Sequence, residues 1–294
     1  MFLTSGPDLV VACCSSGVVG SFPALNQRSS EGLSNWLAEI NTRLSDFEDK
    51  SGFEAAPYAV NLIVHKSNPR LQNDLDICVQ HKVPIIITSL GAMSEVVERI
   101  HDYGGRVFHD VTTIRHARKA AAAGVDGLIV VAAGAGGHAG QQSPFALVNE
   151  IKSFYKGIVI LAGSISTGRD VAAAQMMGAD FAYMGTRFIA TQEAMVSDEY
   201  KDMIVSSGVD DIVYTPKISG VNANFLKSSI ERAGLDLADI SAPDHVDFGG
   251  EIEDASRETV GGPAKPWKDL WSAGHGVGSI HDIPDVASLI AKLE

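Results

Sequence analysis

The chain has 294 residues, of which 45% are hydrophobic, and its formal net charge is −13. This length allows a single α/β barrel with an insertion to bury its core without a disulfide or a structural metal. So acidic a protein lacks the positive surface that binds nucleic acid or an anionic membrane, and we expect neither as a partner.

The cysteines point to a reducing compartment. Cys13, Cys14 and Cys78 are odd in number and have no CxxC spacing, so they indicate neither a disulfide framework nor a zinc site. The apolar stretch at residues 9–14 is too short for a signal sequence or a membrane span, and no basic region precedes it. We therefore predict a cytoplasmic protein.

Seven strands are predicted along the first two thirds of the chain. Five apolar runs, at residues 84–88, 106–109, 127–131, 158–161 and 181–184, do not alternate with polar residues. Such runs are typical of a parallel sheet that is covered on both faces. Two earlier strands are predicted at residues 17–22 and 58–62.

Helices with recognisable ends separate these strands. Ser94, Thr112 and Ser143 are predicted N-caps, the last followed by Pro144 at the first helical position. Further helices are predicted at residues 167–177, closed by Gly178, and at 283–293. The spacing of 20 to 30 residues between strands is that of repeated βα units.

The pattern predicts a (βα)8 TIM barrel whose first strand is largely missing. Only Met1–Leu3 could supply that strand before Gly6 and Pro7 open a helix, which we interpret as a truncated or late-started chain. Residues 1–190 are predicted to form the barrel core, 191–266 a helical lid inserted after the last strand, and 267–294 a segment and helix that close the barrel. The acidic stretch 244–258 is interpreted as a solvated face.

Residues 132–140 form a glycine-rich loop after a strand, with His138 among four glycines. Gly134, Gly136 and Ala139 fit the dinucleotide-binding fingerprint, but that fingerprint requires the helix to begin inside the glycines. Here the helix begins only at Pro144, so we reject a dinucleotide-binding fold. Because working residues of a barrel lie at the C-terminal ends of its strands, the loop is predicted to border a ligand, with His138 as the catalytic candidate.

Two further strand ends carry glycine turns. Ala162-Gly163-Ser164 and Met184-Gly185-Thr186 follow the last two strands, where barrels of this kind hold a phosphate on backbone N–H groups. We predict a phosphate site there, although ordinary βα turns would give the same residues.

Three polar residues are secondary candidates. Asn61, near the end of a strand, could contact a ligand or make a structural hydrogen bond. His109 is a second histidine at a strand end, and Lys217 could meet an anionic substrate in the insertion. His109 and His138, even with Asp110, do not have the spacing of a metal site, so we predict no metal.

Together these motifs resemble the FMN-dependent nitronate monooxygenase family (2-nitropropane dioxygenases). The resemblance is carried by Gly136-Gly137-His138-Ala139-Gly140, Ala162-Gly163-Ser164-Ile165 and Met184-Gly185-Thr186-Arg187-Phe188, and extends from Phe2 to about residue 230. It implies an FMN whose phosphate contacts Gly163, Ser164, Gly185 and Thr186. It also implies that Met1 and Asn61 contact the flavin, with Gly136, Gly137, Ala162 and Met184 beside it.

The resemblance implies oxidation of an alkyl nitronate by flavin and O2, giving a carbonyl compound and nitrite. His138, with an ordinary imidazole pKa near 6.5, would accept the α-proton of a nitroalkane or hold the nitro oxygens. FMN-dependent NAD(P)H reductases for enoyl thioesters or quinones are similar to this family, and a non-catalytic flavin- or phosphate-binding barrel is a third possibility. The sequence does not decide between these, nor between a monomer and a homodimer.

Overall fold

A parallel sheet forms the centre of the protein, for which a computed structural model describes residues 1–91, 93–242 and 264–294. Its seven strands are β1 (Ser21–Pro23), β2 (Ala59–Ile63), β3 (Ile85–Ser89), β4 (Arg106–Val111), β5 (Gly127–Val131), β7 (Ile158–Ala162) and β8 (Phe181–Tyr183). Each strand pairs in parallel with the next, and the sheet is curled into an incomplete barrel. The predicted fold class is confirmed.

A second, antiparallel sheet joins the β5–β7 connection to the insertion that follows β8. It consists of β6 (Gly137–His138), β9 (Ile212–Thr215) and β10 (Ala223–Leu226), with β10 in the centre. We call β9 and β10 the lid hairpin. The insertion was predicted to be helical, and its strands were missed; the acidic stretch at 244–258 lies outside the described residues.

Helices cover the outer face of the main sheet and complete the insertion. They are α1 (Pro7–Ser15), α2 (Ser30–Ser51), α3 (Leu71–Gln80), α4 (Ser94–His101), α5 (Ile114–Ala122), α6 (Pro144–Phe154), α7 (Gly168–Met176), α8 (Thr186–Ile189), α9 (Asp198–Ser206), α10 (Lys227–Arg232) and α11 (Val286–Leu293). α11 packs against α1 and α7. In the described part of the chain, no helix is long and apolar enough to cross a membrane.

Local sequence explains where the helices begin and end. Ser29 accepts a hydrogen bond from the Gly32 N–H at the start of α2, and Gly52 ends that helix in the left-handed conformation with φ 72°. The start of α7 has a capping box: the Thr167 side chain accepts a hydrogen bond from the Asp170 N–H, and the Asp170 side chain accepts one from the Thr167 N–H.

Three predicted boundaries are wrong by a few residues. α4 begins at Ser94, with Met93 at the N-cap, and α5 is capped by Thr113 rather than Thr112, since the Thr113 hydroxyl accepts the N–H of His116. Of the strand predicted at 17–22, only residues 21 and 22 belong to a strand, β1. Residues 16–18 instead donate hydrogen bonds back to α1 and complete its C-terminal turn.

Both faces of the main sheet are apolar, but they differ in what they cover. On β3, Ile86 packs among the helices, whereas Ile85 and Ile87 point into the barrel. The barrel interior is filled by Ala59, Ile85, Ile87, Phe108, Ile129, Ile160 and Ala162. By strand alternation, the next inward positions on β2, β3 and β4 are Asn61 (itself followed by Ile63), Ser89 and Asp110. Polar side chains therefore enter the barrel at its C-terminal end.

The sheet has a seam, because β1 and β8 do not pair with each other. The Ser21 and Tyr183 hydroxyls hydrogen-bond across it at 2.9 Å, and we call them the seam pair. The chain before α1 lies beside β1, where the Ser5 hydroxyl donates to the Ser21 carbonyl at 2.6 Å and the Asn26 amide donates to the Met1 and Ser5 carbonyls. The boundaries predicted at residues 190 and 266 stay a prediction.

Removing the seam hydrogen bond should destabilise the barrel. We expect Tyr183→Phe to lower the free energy of unfolding by about 1 kcal/mol, because it leaves the Ser21 hydroxyl without its partner. Urea unfolding of Tyr183→Phe, Ser21→Ala and the double variant measures the coupling, which we expect at roughly 0.5–1.5 kcal/mol. Strictly additive effects would show that the pair does not hold the seam.

Candidate active site at the barrel mouth

A cavity of about 530 Å³ opens at the C-terminal ends of the strands, a volume typical of cofactor and small-molecule sites. It brings together nearly all residues that the sequence singled out. These are Met1, Asn61, His109, Gly136, Gly137, His138, Ala162, Gly163, Ser164, Met184, Gly185 and Thr186.

Lys217 is the exception. It does not line the cavity, and its ammonium donates a hydrogen bond to the Leu237 carbonyl at 2.6 Å. In the turn after β9 its charge satisfies a backbone carbonyl, and its contact with a substrate stays a prediction.

Two glycine turns lie side by side at the ends of β7 and β8. Gly163 and Ser164 have φ values of 125° and 56°, so the chain reverses sharply before α7. The left-handed backbone at Ser164 explains why a glycine would be suited to this position, since a side chain there costs roughly 1–2 kcal/mol. Gly185 directly precedes α8, whose first N–H groups have no partner within the helix. Both turns line the same cavity, as an anion site requires.

The loop that carries His138 is held by the lid hairpin. His138 pairs with Ala223 of β10, and the Ala139 N–H donates to the Asn222 carbonyl. Two side chains of the hairpin add hydrogen bonds: the Asn224 amide donates to the Ala135 carbonyl at 2.7 Å, and the Tyr214 hydroxyl donates to the Ala139 carbonyl at 3.0 Å. The position of the imidazole thus depends on residues more than 70 positions away in the chain.

The His138 imidazole is neutral at physiological pH. Its ring meets the Trp267 indole edge to face, with 5.1 Å between the ring centroids. Its Nε2 atom is buried and has no hydrogen-bond partner in the described parts of the chain. Burial lowers the pKa of His138 to about 4, helped by the positive α-amino group of Met1. The ordinary pKa assumed from the sequence is therefore wrong for this site.

Opposite the glycine turns, three strand ends carry a chain of hydrogen bonds. The Asn61 amide donates to the Ser89 hydroxyl at 2.7 Å, and that hydroxyl donates to Asp110 Oδ2 at 2.6 Å. We call Asn61, Ser89 and Asp110 the interior polar chain. Burial raises the pKa of Asp110 to about 6, against the opposing effects of the Ser89 hydrogen bond and the Met1 α-amino group. Sequence reasoning used Asn61 but missed Ser89 and the inward direction of Asp110.

His109 reaches the cavity only at its margin. It is next to Asp110 on β4, so its side chain points outward to the helices, and its Nδ1 lies 2.7 Å from the Thr88 hydroxyl. Burial lowers the pKa of His109 to about 4, with His116 and Lys119 as further positive neighbours. This orientation favours a structural hydrogen bond.

The segment before α11 contributes cavity residues that sequence reasoning missed. The Gly274 N–H donates to the Thr186 hydroxyl at 2.9 Å, and the His275 N–H donates to the Gly134 carbonyl at 2.9 Å. A Cβ on Gly274 would lie 2.5 Å from the Gly134 carbonyl oxygen, so only glycine allows this approach. The spacing Gly274-x-Gly276-x-Gly278 was the available signal. Trp267, also missed, carries no such signal.

No metal site accompanies these residues. Within residues 1–91, 93–242 and 264–294, no group of three or more His, Cys, Asp or Glu side chains could hold an ion. The site therefore offers an anion-binding pair of turns, a neutral imidazole and a buried carboxyl around one cavity.

Comparison with known proteins gives several relatives. The chain is 27% identical over 234 residues to the "(3aS,4S,5R,7aS)-5-hydroxy-7a-methyl-1-oxo-octahydro-1H-indene-4-carboxyl-CoA dehydrogenase" of Rhodococcus jostii, covering 78% of this chain and 63% of that protein. It is 27% identical over 237 residues to a nitronate monooxygenase of Paraburkholderia phytofirmans, covering 75% and 62%. The chain thus spans a little over 60% of the length of these relatives.

Solved structures and a family model extend the comparison. The structure of FabK from Thermotoga maritima superposes with a TM-score of 0.80 and 25% identity, covering 100% of this chain and 89% of that one. The sequence model of the family described as nitronate monooxygenase matches residues 37–294. This match includes the His138 loop, both glycine turns and the interior polar chain. The chain belongs to the nitronate monooxygenase family.

Proposed function

We propose that the protein is an FMN-dependent oxidoreductase that oxidises alkyl nitronates with O2 to a carbonyl compound and nitrite. The observation that carries the proposal is the convergence on one cavity of two glycine turns and a neutral histidine whose buried Nε2 has no partner among the described residues. Membership of the nitronate monooxygenase family supports the same reaction class.

The residues at the mouth fit FMN. The turns at Gly163–Ser164 and Gly185–Thr186 would hold its phosphate, because backbone N–H groups beside glycines bind anions without a cationic side chain. The unpartnered atoms His138 Nε2 and Asp110 Oδ1 would find hydrogen-bond partners in a polar ring system and its ribityl chain. When bound, the flavin supplies the electron-accepting group that no side chain can provide.

The protein's own residues position the substrate and handle its proton. His138 is neutral, so it can accept the α-proton of a nitroalkane, or hydrogen-bond a nitronate oxygen if Nε2 carries the hydrogen. The Trp267 ring and the lid hairpin cover the imidazole and exclude water from it. Exclusion of water strengthens every electrostatic interaction inside the cavity.

An NAD(P)H-dependent reductase on the same scaffold is the second candidate. Two observations favour it: the Rhodococcus jostii relative is named as a dehydrogenase of a carboxyl-CoA compound, and the superposition with FabK covers the whole chain. The two reactions differ in the electron donor, which makes them separable by experiment.

The identity of the electron donor can be read from the flavin spectrum. We expect purified protein reconstituted with FMN to be yellow, and to be bleached under nitrogen by a nitronate such as propyl-2-nitronate. Bleaching by NADH or NADPH alone would replace the proposal by the reductase. A protein that is colourless after incubation with FMN and removal of the unbound FMN would contradict both.

A charge placed in the second glycine turn tests the phosphate site. We expect Gly185→Asp to weaken FMN binding by roughly tenfold to a hundredfold, since its carboxylate would repel the phosphate, and to leave riboflavin binding unchanged. A side chain is tolerated there, because φ is −110° and a Cβ would find only Met1 Cγ, at 3.7 Å. Fluorescence titration of both flavins gives the affinities.

Gly185→Asn is the matched control, with the same shape and no charge. It should bind each of the two flavins as tightly as the wild-type protein does. Equal losses of both flavins in Gly185→Asp would show that the turn does not hold the phosphate.

Removing the His138 imidazole tests its role as the base. We expect His138→Ala to lower kcat/KM for a neutral nitroalkane by about a hundredfold or more, and for the preformed nitronate much less. A base acts above its pKa, so the wild-type rate with nitroalkane should fall only as the pH approaches about 4, not below 6.5. Steady-state rates across pH 5–8 with both substrates check this.

His109→Ala is the comparison variant for the second histidine at the mouth. Because His109 faces the helices, we expect its loss to leave the ratio of the two rates unchanged. Equal losses on nitroalkane and nitronate in His138→Ala would rule out the base role.

A further inference from the structure

One buried carboxyl at the mouth has so far been given only a hydrogen bond to the flavin and no part in the transfer of electrons or protons. Asp110 points into the barrel, and its Oδ1 atom is buried without a hydrogen-bond partner in the described ranges. A buried carboxylate oxygen left unpaired is costly, so such an atom requires an explanation.

The other carboxyl oxygen is firmly held. Ser89 Oγ donates to Asp110 Oδ2 at 2.6 Å and itself accepts from the Asn61 amide at 2.7 Å. Because these side chains come from three neighbouring strands, the carboxyl cannot turn away from the cavity without breaking the interior polar chain. Asp110 therefore stays among the residues that line the cavity.

Few charges surround this carboxyl. The α-amino group of Met1 lowers the Asp110 pKa, while burial in turn lowers the pKa of that α-amino group. The Tyr183 phenol lies near enough for Asp110 to raise its pKa. His109, His116, His138 and Lys119 also line the cavity, and none of them shifts the Asp110 pKa noticeably. Burial keeps His138 and His109 neutral above pH 5. The carboxylate thus has weak compensation.

We propose that Asp110 is a redox-linked protonation site: its carboxylate binds one proton from solvent when the flavin in the cavity takes up two electrons. The inference rests on the flavin of the proposed function, but not on the nitronate. Two electrons come from the reductant, and one O–H bond forms on Asp110 in addition to the protons that the flavin itself takes up.

The physical cause is like-charge repulsion in a dry cavity. A carboxylate that shares the cavity with a group gaining negative charge becomes harder to keep ionised, so its pKa rises. Starting from the Asp110 pKa of about 6 that the protein alone imposes, about a tenth of the carboxyls are protonated at pH 7. A rise of about one unit makes that fraction about half, and two units about nine tenths.

The dependence of the flavin midpoint potential on pH tests this. Between pH 6 and 8 we expect the potential of wild-type holoprotein to fall up to twice as steeply with pH as that of Asp110→Asn, measured by dithionite titration with indicator dyes. The flavin's own proton uptake adds the same amount to the slope in both proteins, so the difference between the two slopes reports the proton on Asp110. Equal slopes would overturn the proposal.

Ser89→Ala separates proton binding from a structural role. It removes the hydrogen bond that lowers the Asp110 pKa, so the steep part of the wild-type curve should move to higher pH. Asp110→Glu should restore a steep region. If Asp110 had only a structural role, Ser89→Ala would not shift the curve of potential against pH, and Asp110→Glu would not restore its steep region.

A second readout needs no variant. In the reduced-minus-oxidised infrared spectrum of the wild-type holoprotein at pH 7, we expect a protonated-carboxyl C=O band that shifts when aspartate carries 13C. Absence of the band would overturn the proposal even if Asp110→Asn failed to bind flavin. Because dithionite is the reductant, this test does not depend on the nitronate. A protein that shows the band but does not oxidise nitronates would contradict the proposed substrate and still support Asp110 as the protonation site.

Discussion

The constraint on which the rest of the structure depends is that both faces of the main sheet are buried. Strand residues that point outward meet helices, and those that point inward fill the barrel with Ile, Phe and Ala. Polar side chains can enter only where a strand ends, because only there does a cavity provide partners. Asn61, Ser89, Asp110 and Tyr183 lie at or near the ends of their strands, and Ser21, at the start of the three-residue β1, lines the same cavity. The chemistry of the protein is thereby confined to one end of the barrel.

Much of this could be predicted from the sequence, since it depends on local patterns. Apolar runs without alternation gave the strands, and glycines directly after them gave the His138 loop and both turns at the mouth. The lid hairpin could not be predicted, because one of its partners, β6, is only two residues long and lies far away in the chain. The ionisation of His138 was also out of reach, as burial by distant residues determines it.

Burial shifts the pKa values of Asp110 and His138, both at the mouth, in opposite directions. The Asp110 carboxyl becomes easier to protonate and the His138 imidazole harder, so each is shifted toward its neutral form. In a chain with a net charge of −13, these two side chains therefore carry little charge at mildly acidic pH. A planar, electron-poor ring suits such a site, because small changes in the charge of the ring are felt strongly by groups that water does not screen.

The lid hairpin also holds the His138 imidazole in place. β10 is hydrogen-bonded to the loop that carries His138, and Asn224 and Tyr214 attach the same loop from the same hairpin. A displacement of the hairpin would thus release the imidazole at the same moment, although the hairpin contributes no residue to the lining of the cavity. The order of the histidine is therefore set by a segment that does not line the cavity itself.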